Sequence, residues 1–172
     1  MGMDFKQHIR VIEDFPQPGI SFKDITTLLG DGDVYRTAIE ALREMVKDKK
    51  IDVICGPEAR GFVIGAPLAY ALGVGFVPIR KSGKLPYTSI EAKYDLEYGK
   101  DVLAIHSDAI RPGQNVLIAD DLLATGGTIA TCINLVKQLG GNVVGAAFLI
   151  ELSELNGRDK IAGTDVVSLV TY

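Results

Sequence analysis

One α/β domain of the doubly wound type, built on a parallel sheet, is predicted from three observations: short and nearly pure apolar runs, helical stretches between them, and a length of 172 residues that suits one core. The runs fall at 51–55 (Ile-Asp-Val-Ile-Cys), 74–80 (Val-Gly-Phe-Val-Pro-Ile-Arg), 115–119 (Asn-Val-Leu-Ile-Ala), 143–150 and 165–170. They lack the polar alternation of half-exposed strands, as strands covered on both faces do. Helices are predicted over 33–48, where Val34, Ile39, Leu42, Met45 and Val46 recur near helical spacing, over 61–72, rich in Ala and Leu, and over 127–139, closed by Gly140-Gly141. Ligands of such sheets bind beyond the carboxyl ends of the strands, so chemistry is expected just after Cys55, Arg80 and Ala119.

Two regions depart from this rhythm. Residues 15–28 carry two prolines, a glycine and two phenylalanines ahead of any crossover unit, and read as an ordered cap. Residues 81–100 are polar, hold Tyr87, Tyr94 and Tyr98, and offer Gly83 and Pro86 as turn points. A stretch of that length in a small domain predicts a mobile lid or a projecting hairpin.

Composition excludes several classes. The net charge of -4, with lysines and arginines scattered among acids, gives no field for a nucleic acid partner. Cys55 and Cys132 lie in apolar or helical surroundings and read as free buried thiols. No apolar stretch approaches the roughly 20 residues of a membrane span, and no basic-then-apolar leader opens the chain, so a cytoplasmic location without membrane contact is expected. His8 and His106 stand apart from each other and from both cysteines, which argues against zinc or iron.

The most informative segment is Val116-Leu-Ile-Ala-Asp-Asp-Leu-Leu-Ala-Thr-Gly-Gly-Thr128. An apolar strand delivers Asp120 and Asp121 to its end, and Ala124-Thr125-Gly126-Gly127-Thr128 then turns into a helix. Glycines permit unusual backbone angles and close approach, while amides at the start of the helix, with the Thr125 and Thr128 hydroxyls, face an anion. Adjacent acids would repel phosphate, yet they suit the two hydroxyls of a ribose whose phosphate rests in the loop. The plainer alternative is an ordinary strand-to-helix turn with two acids favouring the helix start. Buried acids without partners are costly, which weighs against it. Gly83-Lys84 lacks the spacing of a P-loop and no Gly-x-Gly-x-x-Gly follows a strand, so kinase and dinucleotide readings fall away.

That segment resembles the phosphoribosyl pyrophosphate signature of the type I phosphoribosyltransferases. Three others, Phe15-Pro-Gln-Pro-Gly-Ile-Ser-Phe-Lys-Asp-Ile25, Glu58-Ala-Arg-Gly-Phe62, and Ile79-Arg-Lys-Ser-Gly-Lys-Leu-Pro86 with Leu96-Glu-Tyr-Gly-Lys100, resemble its adenine-specific branch. The resemblance spans essentially the whole chain and implies a type I core with a purine-facing hood at about 1–30 and a flexible lid at about 81–100. It implies AMP formation from adenine and phosphoribosyl pyrophosphate, with pyrophosphate released, magnesium held through substrate phosphates and water, no dedicated protein metal ligands, and a homodimer.

By the same resemblance, Pro57 to Gly61 form a pyrophosphate loop in which Glu58 and Ala59 meet substrate and Arg60 supplies the cation. Phe22 stacks on the purine, with groups around Ser21 and Lys23 reading its edge. Arg80, Lys81 and Lys84 meet pyrophosphate, Tyr98 lies near the purine and leaving group, and Glu97 manages the purine proton. Asp120 and Asp121 support a ribosyl cation, over the phosphate loop Ala124, Thr125, Gly126, Gly127 and Thr128. From the residues alone, Phe15 and Phe22 read more readily as core than as a base platform, and the plainer alternatives are Arg60 as the partner of a surface acid and Glu97 as a surface acid. Competing functions are a 6-oxopurine transferase, which the resemblance disfavours because such relatives present a lysine after the strand that follows the phosphate loop and Leu149–Leu155 contains none, and a non-catalytic sensor of phosphoribosyl pyrophosphate, which would need an added binding domain or a basic face.

Overall fold

The computed structural model describes residues 2–96 and 99–172. At the N-terminal end a 3-10 turn, Phe5–His8, leads into β1 (Arg10–Ile12), which pairs antiparallel with β2 (Phe22–Asp24). The short α1 (Thr26–Gly30) and the long α2 (Gly32–Val46) follow. Asp31 caps α2 by accepting from the amides of Asp33 and Val34, which satisfies two donors that a helix start otherwise leaves unpaired.

The five apolar runs become β3 (Val53–Pro57), β4 (Gly75–Lys81), β7 (Asn115–Leu123), β8 (Asn142–Glu151) and β9 (Val166–Thr171), and a hairpin of β5 (Ser89–Leu96) and β6 (Gly99–His106) adds to them. The sheet order is β5-β6-β4-β3-β7-β8-β9. From β4 to β9 every pairing is parallel, and the hairpin joins antiparallel through Arg80↔Ala104 and Lys81↔Leu103. Helices α3 (Arg60–Leu72) and α4 (Gly127–Gln138) are the crossovers, and the short α5 (Gly157–Lys160) precedes β9.

Alternation along β7 explains why the sheet is covered twice. Leu117 and Ala119 pack with Leu42, Ile64 and Leu68 of α2 and α3, whereas Val116 and Ile118 pack with Ile129, Cys132 and Val136 of α4. Both cysteines are buried free thiols. Burial pushes the Cys55 thiol up to about 12.

Two expectations need correction. The strand predicted to stop at Ala119 continues to Leu123, so Asp120 and Asp121 lie within it, held by β8 through Asp120↔Phe148 and Leu122↔Ile150. The stretch at 81–100, expected as a mobile lid or a projecting hairpin, does supply a hairpin strand, but the hairpin runs on to His106 and is paired into the sheet beside β4 instead of projecting. The strand signal is a period of two, with Ile90, Ala92 and Tyr94 turned to the core. The tyrosine-rich, polar composition of the surrounding stretch conceals it.

Glu151 ends β8 and is buried, and its carboxylate accepts 2.7 Å bonds from Arg158 Nε and Nη2 and from Ser168 Oγ. These bonds tie α5 to the strand end. Arg158 hydrogen bonding, working against burial and aided by Ser168, holds the Glu151 carboxyl below its ordinary 4.5. A carboxyl whose folded value lies below its unfolded value stabilises the fold fully above the unfolded value and loses that contribution as pH falls through the folded one. Arg158→Met is therefore expected to lower stability by about 1–3 kcal/mol at neutral pH. The gap should shrink as pH drops below about 4.5. Urea unfolding of both proteins across that range measures it, and a gap independent of pH would contradict the assignment.

Candidate active site

β3 ends at Pro57 while β7 runs on to Leu123, and this stagger opens a cleft of about 260 Å³ at the carboxyl ends of the strands. Asp120 and Asp121 form its floor, at 9% and 4% exposure. Past the strand, Gly126 takes φ 86, a left-handed angle that favours glycine, and α4 starts at Gly127 with no side-chain cap. α3 also starts at the cleft, after Ala59, again with no side-chain cap, and the preceding Glu58-Ala59 peptide is cis. Two helix starts with unpaired amides and positive dipole ends thus border the same space.

Charges of both signs are interleaved around it. Arg60 Nε lies 3.2 Å from Asp121 Oδ2, and the guanidinium sits 5.6 Å from the centre of the Phe22 ring. Phe15 meets Phe22 edge-on at 5.2 Å. The Asp121 amide donates to Asp120 Oδ1 at 2.8 Å. Burial, then the neighbouring Asp121 charge, push the Asp120 carboxyl well above the ordinary range, and Arg60 opposes them only in part.

Glu58 gathers a second set. Its carboxylate accepts from the Lys81 amide at 2.7 Å, pairs with the Lys84 ammonium and lies 3.3 Å from Arg80 Nε. Burial works to raise its carboxyl, but the Lys84 and Lys81 hydrogen bonds and the charges of Lys84 and Arg80 outweigh it and hold the group below the usual range. The Lys81 ammonium pairs with Asp101 at 3.0 Å, and the Tyr94 hydroxyl donates to the same carboxylate at 3.2 Å.

Most residues singled out in the sequence therefore converge. Glu58, Ala59, Arg60, Lys81, Asp120, Asp121, Ala124, Thr125, Gly126, Gly127 and Thr128 line the cleft. Arg80 and Lys84 reach it through Glu58, and Phe22 through Arg60. Arg60 pairs with a buried acid, where the plain reading gave it a surface one. Ser21 and Lys23 do not line the cleft. Ser21 Oγ donates to Glu13, and the Lys23 ammonium donates to Ser21 Oγ and lies 4.5 Å from the centre of the Tyr172 ring. The cause is strand alternation, which sends Lys23 to the opposite side of β2 from Phe22. Glu97 and Tyr98 fall outside the described residues. Sequence reasoning missed Tyr94, Asp101 and Leu103, which no motif marks.

The sequence profile of the phosphoribosyl transferase domain matches residues 25–170. The chain belongs to the phosphoribosyltransferase family, in its adenine-specific branch. It is 71% identical to the adenine phosphoribosyltransferase of Brevibacillus brevis over 170 residues, covering 99% of this chain and 100% of the relative. The crystal structure of the adenine phosphoribosyltransferase of Thermoanaerobacter pseudethanolicus superposes with a TM-score of 0.96 at 53% identity, covering 98% of each chain. That of Saccharomyces cerevisiae, complexed with an imino-altritol bisphosphate and adenine, gives 0.91 at 42% identity over 96% of each.

Within this phosphoribosyltransferase fold, the first turn of α3 presses against the acids. A Cβ on Gly61 would stand 2.9 Å from Pro57 Cδ and 3.0 Å from Asp120 Oδ1. Gly61→Ala is expected to destabilise the protein by about 1–3 kcal/mol, as overpacking of a tight contact does. Thermal unfolding checks it, with Gly30→Ala, where nothing lies within 4 Å, as the comparison. An unchanged melting temperature in Gly61→Ala would show that the α3–β7 contact yields freely.

Proposed function

We propose that this chain is an adenine phosphoribosyltransferase, which converts adenine and phosphoribosyl pyrophosphate to AMP and pyrophosphate in purine salvage. The observation that carries the reading is the pairing of two buried aspartates with an uncapped, glycine-led helix start in one cleft. Full-length identity to adenine phosphoribosyltransferases fixes the base.

In the proposed reaction adenine N9 attacks C1 of the phosphoribosyl group while pyrophosphate departs, through a transition state with oxocarbenium character. The 5-phosphate rests on the amides and hydroxyls of Ala124 to Thr128. Asp120 and Asp121 face the ribose hydroxyls and place negative potential beneath the developing cation. Arg60, Arg80, Lys81 and Lys84 neutralise the leaving group, beside Glu58 and Ala59. Phe22 offers a face to the purine, while Ser21 and Lys23 contribute through their backbone, and Glu97 and Tyr98 act near N9 and pyrophosphate. Residues 81–100 serve as a lid that excludes water and 1–30 as a hood over the base, within one domain.

Magnesium fits this donor set. Among the described residues no three His, Cys, Asp or Glu side chains group into a cage. Magnesium commonly relies on substrate phosphates and water with one or two carboxylates nearby, and Asp120 and Asp121 supply those. When bound, it neutralises pyrophosphate charge. The proposal includes a cytoplasmic homodimer in which Arg80 stands near the partner's site, an arrangement supported by the resemblance of the Ile79–Pro86 segment.

The reading is tested by incubating the protein with phosphoribosyl pyrophosphate, magnesium and single bases. Adenine should yield AMP far faster than hypoxanthine or guanine yield their nucleotides, because a pocket built for a 6-amino edge strands polar groups against an oxo edge. Chelation with EDTA should abolish turnover and magnesium restore it. Equal rates with guanine would refute the base assignment, and nucleotide binding without turnover would favour a sensor.

The paired acids give a sharper test. Replacing Asp120 or Asp121 by Asn keeps shape and removes charge. If each carboxylate makes a charge-assisted bond worth roughly 1.5–3 kcal/mol, kcat/KM should fall about ten- to a hundredfold in each variant. Much of the loss should appear in kcat, since the interaction strengthens as the cation forms. Steady-state kinetics on variants that melt near the parent temperature measure the split. Parent-like kcat in both would leave these acids only a structural role within β7.

A further inference from the structure

The short helix α5 is packed directly on the phosphate loop. A Cβ on Gly126 would collide with the Gly157 carbonyl, and one on Gly157 with the Ala124 carbonyl, so loop and helix meet backbone to backbone. Gly157 is buried, and Ile161, just past the helix, is 3% exposed and anchors it in the α4-side core. Arg158 fixes the other side of the turn to Glu151 through its two 2.7 Å bonds. α5 is thus a rigid appendage of the loop, and its last residue, Lys160, lies across the glycines.

The Lys160 Cβ stands 3.2 Å from a Cβ built on Gly126, and its Nζ 3.9 Å from one built on Gly127. The ammonium is therefore placed beside the first residue of α4, next to the residues that line the cleft but not itself among them. Of the acids around α5, Glu151 is engaged by Arg158 and Asp165 by Lys49, while Asp159, beside Lys160 in the helix, and Glu154 make no ion pair within 4.0 Å among the described residues. Among the described residues no ion pair within 4.0 Å involves Lys160. The loop itself, Ala124-Thr125-Gly126-Gly127-Thr128, contains no cation, and the nearest ionisable groups in the cleft floor are acids.

We propose that Lys160 is a phosphate-binding residue, supplying the one side-chain cation to the 5-phosphate end of the ribosyl substrate, with Glu151 and Arg158 as positioning residues that hold α5 on the loop. This rests on the proposed phosphoribosyl site. An exposed, flexible lysine adds charge without adding a wall, so it can follow the phosphate in as the substrate enters and release it with the product. Its effect is confined to ligands that carry a 5-phosphate. The pyrophosphate end is served by a separate set of cations around Glu58.

The test uses the full chain with Lys160→Met, Lys160→Gln and Lys160→Arg, measuring inhibition by ribose 5-phosphate and by pyrophosphate separately, and direct binding of AMP by calorimetry. Loss of a charge-assisted contact should weaken ribose 5-phosphate and AMP about tenfold in the Met and Gln variants. Pyrophosphate inhibition and the KM for adenine should stay at parent values. Lys160→Arg should restore most of the binding, and the salt dependence of AMP binding should be shallower in the neutral variants than in the parent. Parent-like ribose 5-phosphate affinity in both neutral variants overturns the assignment to Lys160, as does an equal loss for pyrophosphate, which would mark a general field effect. A parent protein that binds neither ribose 5-phosphate nor AMP overturns the phosphoribosyl reading itself, and this proposal with it.

Discussion

Two carboxylates desolvated at the inner end of a central strand are the constraint on which the rest of the cleft depends. Asp120 and Asp121 sit at 9% and 4% exposure, and adjacent charges in such a place are costly unless opposed. The fold opposes them with Arg60 at 3.2 Å from Asp121, with the Asp121 amide on Asp120, and with the positive ends of α3 and α4. The opposition is incomplete for Asp120, whose carboxyl is held well above the ordinary range by burial. A site that retains this cost keeps a group that responds strongly to a nearby hydroxyl or positive charge.

The geometry that creates the cost also creates the space. In the parallel register Cys55 lies opposite Ile118, so Asp120 comes level with Pro57 at the end of β3 and β7 carries Asp121 and the residues after it beyond, and the two crossover helices begin on either side of that step. Gly61 and Gly126 are where backbone must come close, the first to let α3 reach Asp120, the second to turn the strand into α4 under the cover of α5. A similar economy holds at Glu58, where one carboxylate organises Lys84, Arg80 and the Lys81 amide, drawing cations from β4 and the following turn to the rim. Glu58 thus acts on the site mainly through the residues it holds.

The central strands were legible because a doubly covered strand has no polar side to hide its apolar run, and the acids and glycines after β7 were legible because they are expensive and conformationally unusual. The antiparallel hairpin was harder. Ile90, Ala92 and Tyr94 alternate with Ser89, Glu91 and Lys93, but one covered face is a weaker signal than two. β1 and β2 are three residues each, too short for any period to register. In the site, Arg60, Lys81 and Asp121 were visible from their segments, whereas Asp101, which pairs with Lys81, and Tyr94, which bonds Asp101, are brought there only by the sheet, across sequence gaps that no local pattern spans. Lys160 was invisible for the same reason. It belongs to the loop at 124–128 only because Glu151, Arg158 and Gly157 fold α5 back upon it.

The opposing charges in this cleft select by separation. A small, symmetric anion drawn to the α4 amides meets acids on the cleft floor and is repelled from going deeper, while a neutral sugar finds hydrogen-bond acceptors but nothing to hold it at the rim. A ligand that carries phosphate at one end and hydroxyls a few bonds away satisfies both. If it carries a second anionic group beyond the hydroxyls, it also meets the cations gathered by Glu58. Under the proposed function that order, phosphate, hydroxyls, then diphosphate, is the order of groups along phosphoribosyl pyrophosphate. The ribose carbon that reacts then lies between the acids and the departing anion, where negative potential below and positive charge ahead both favour separation of the bond.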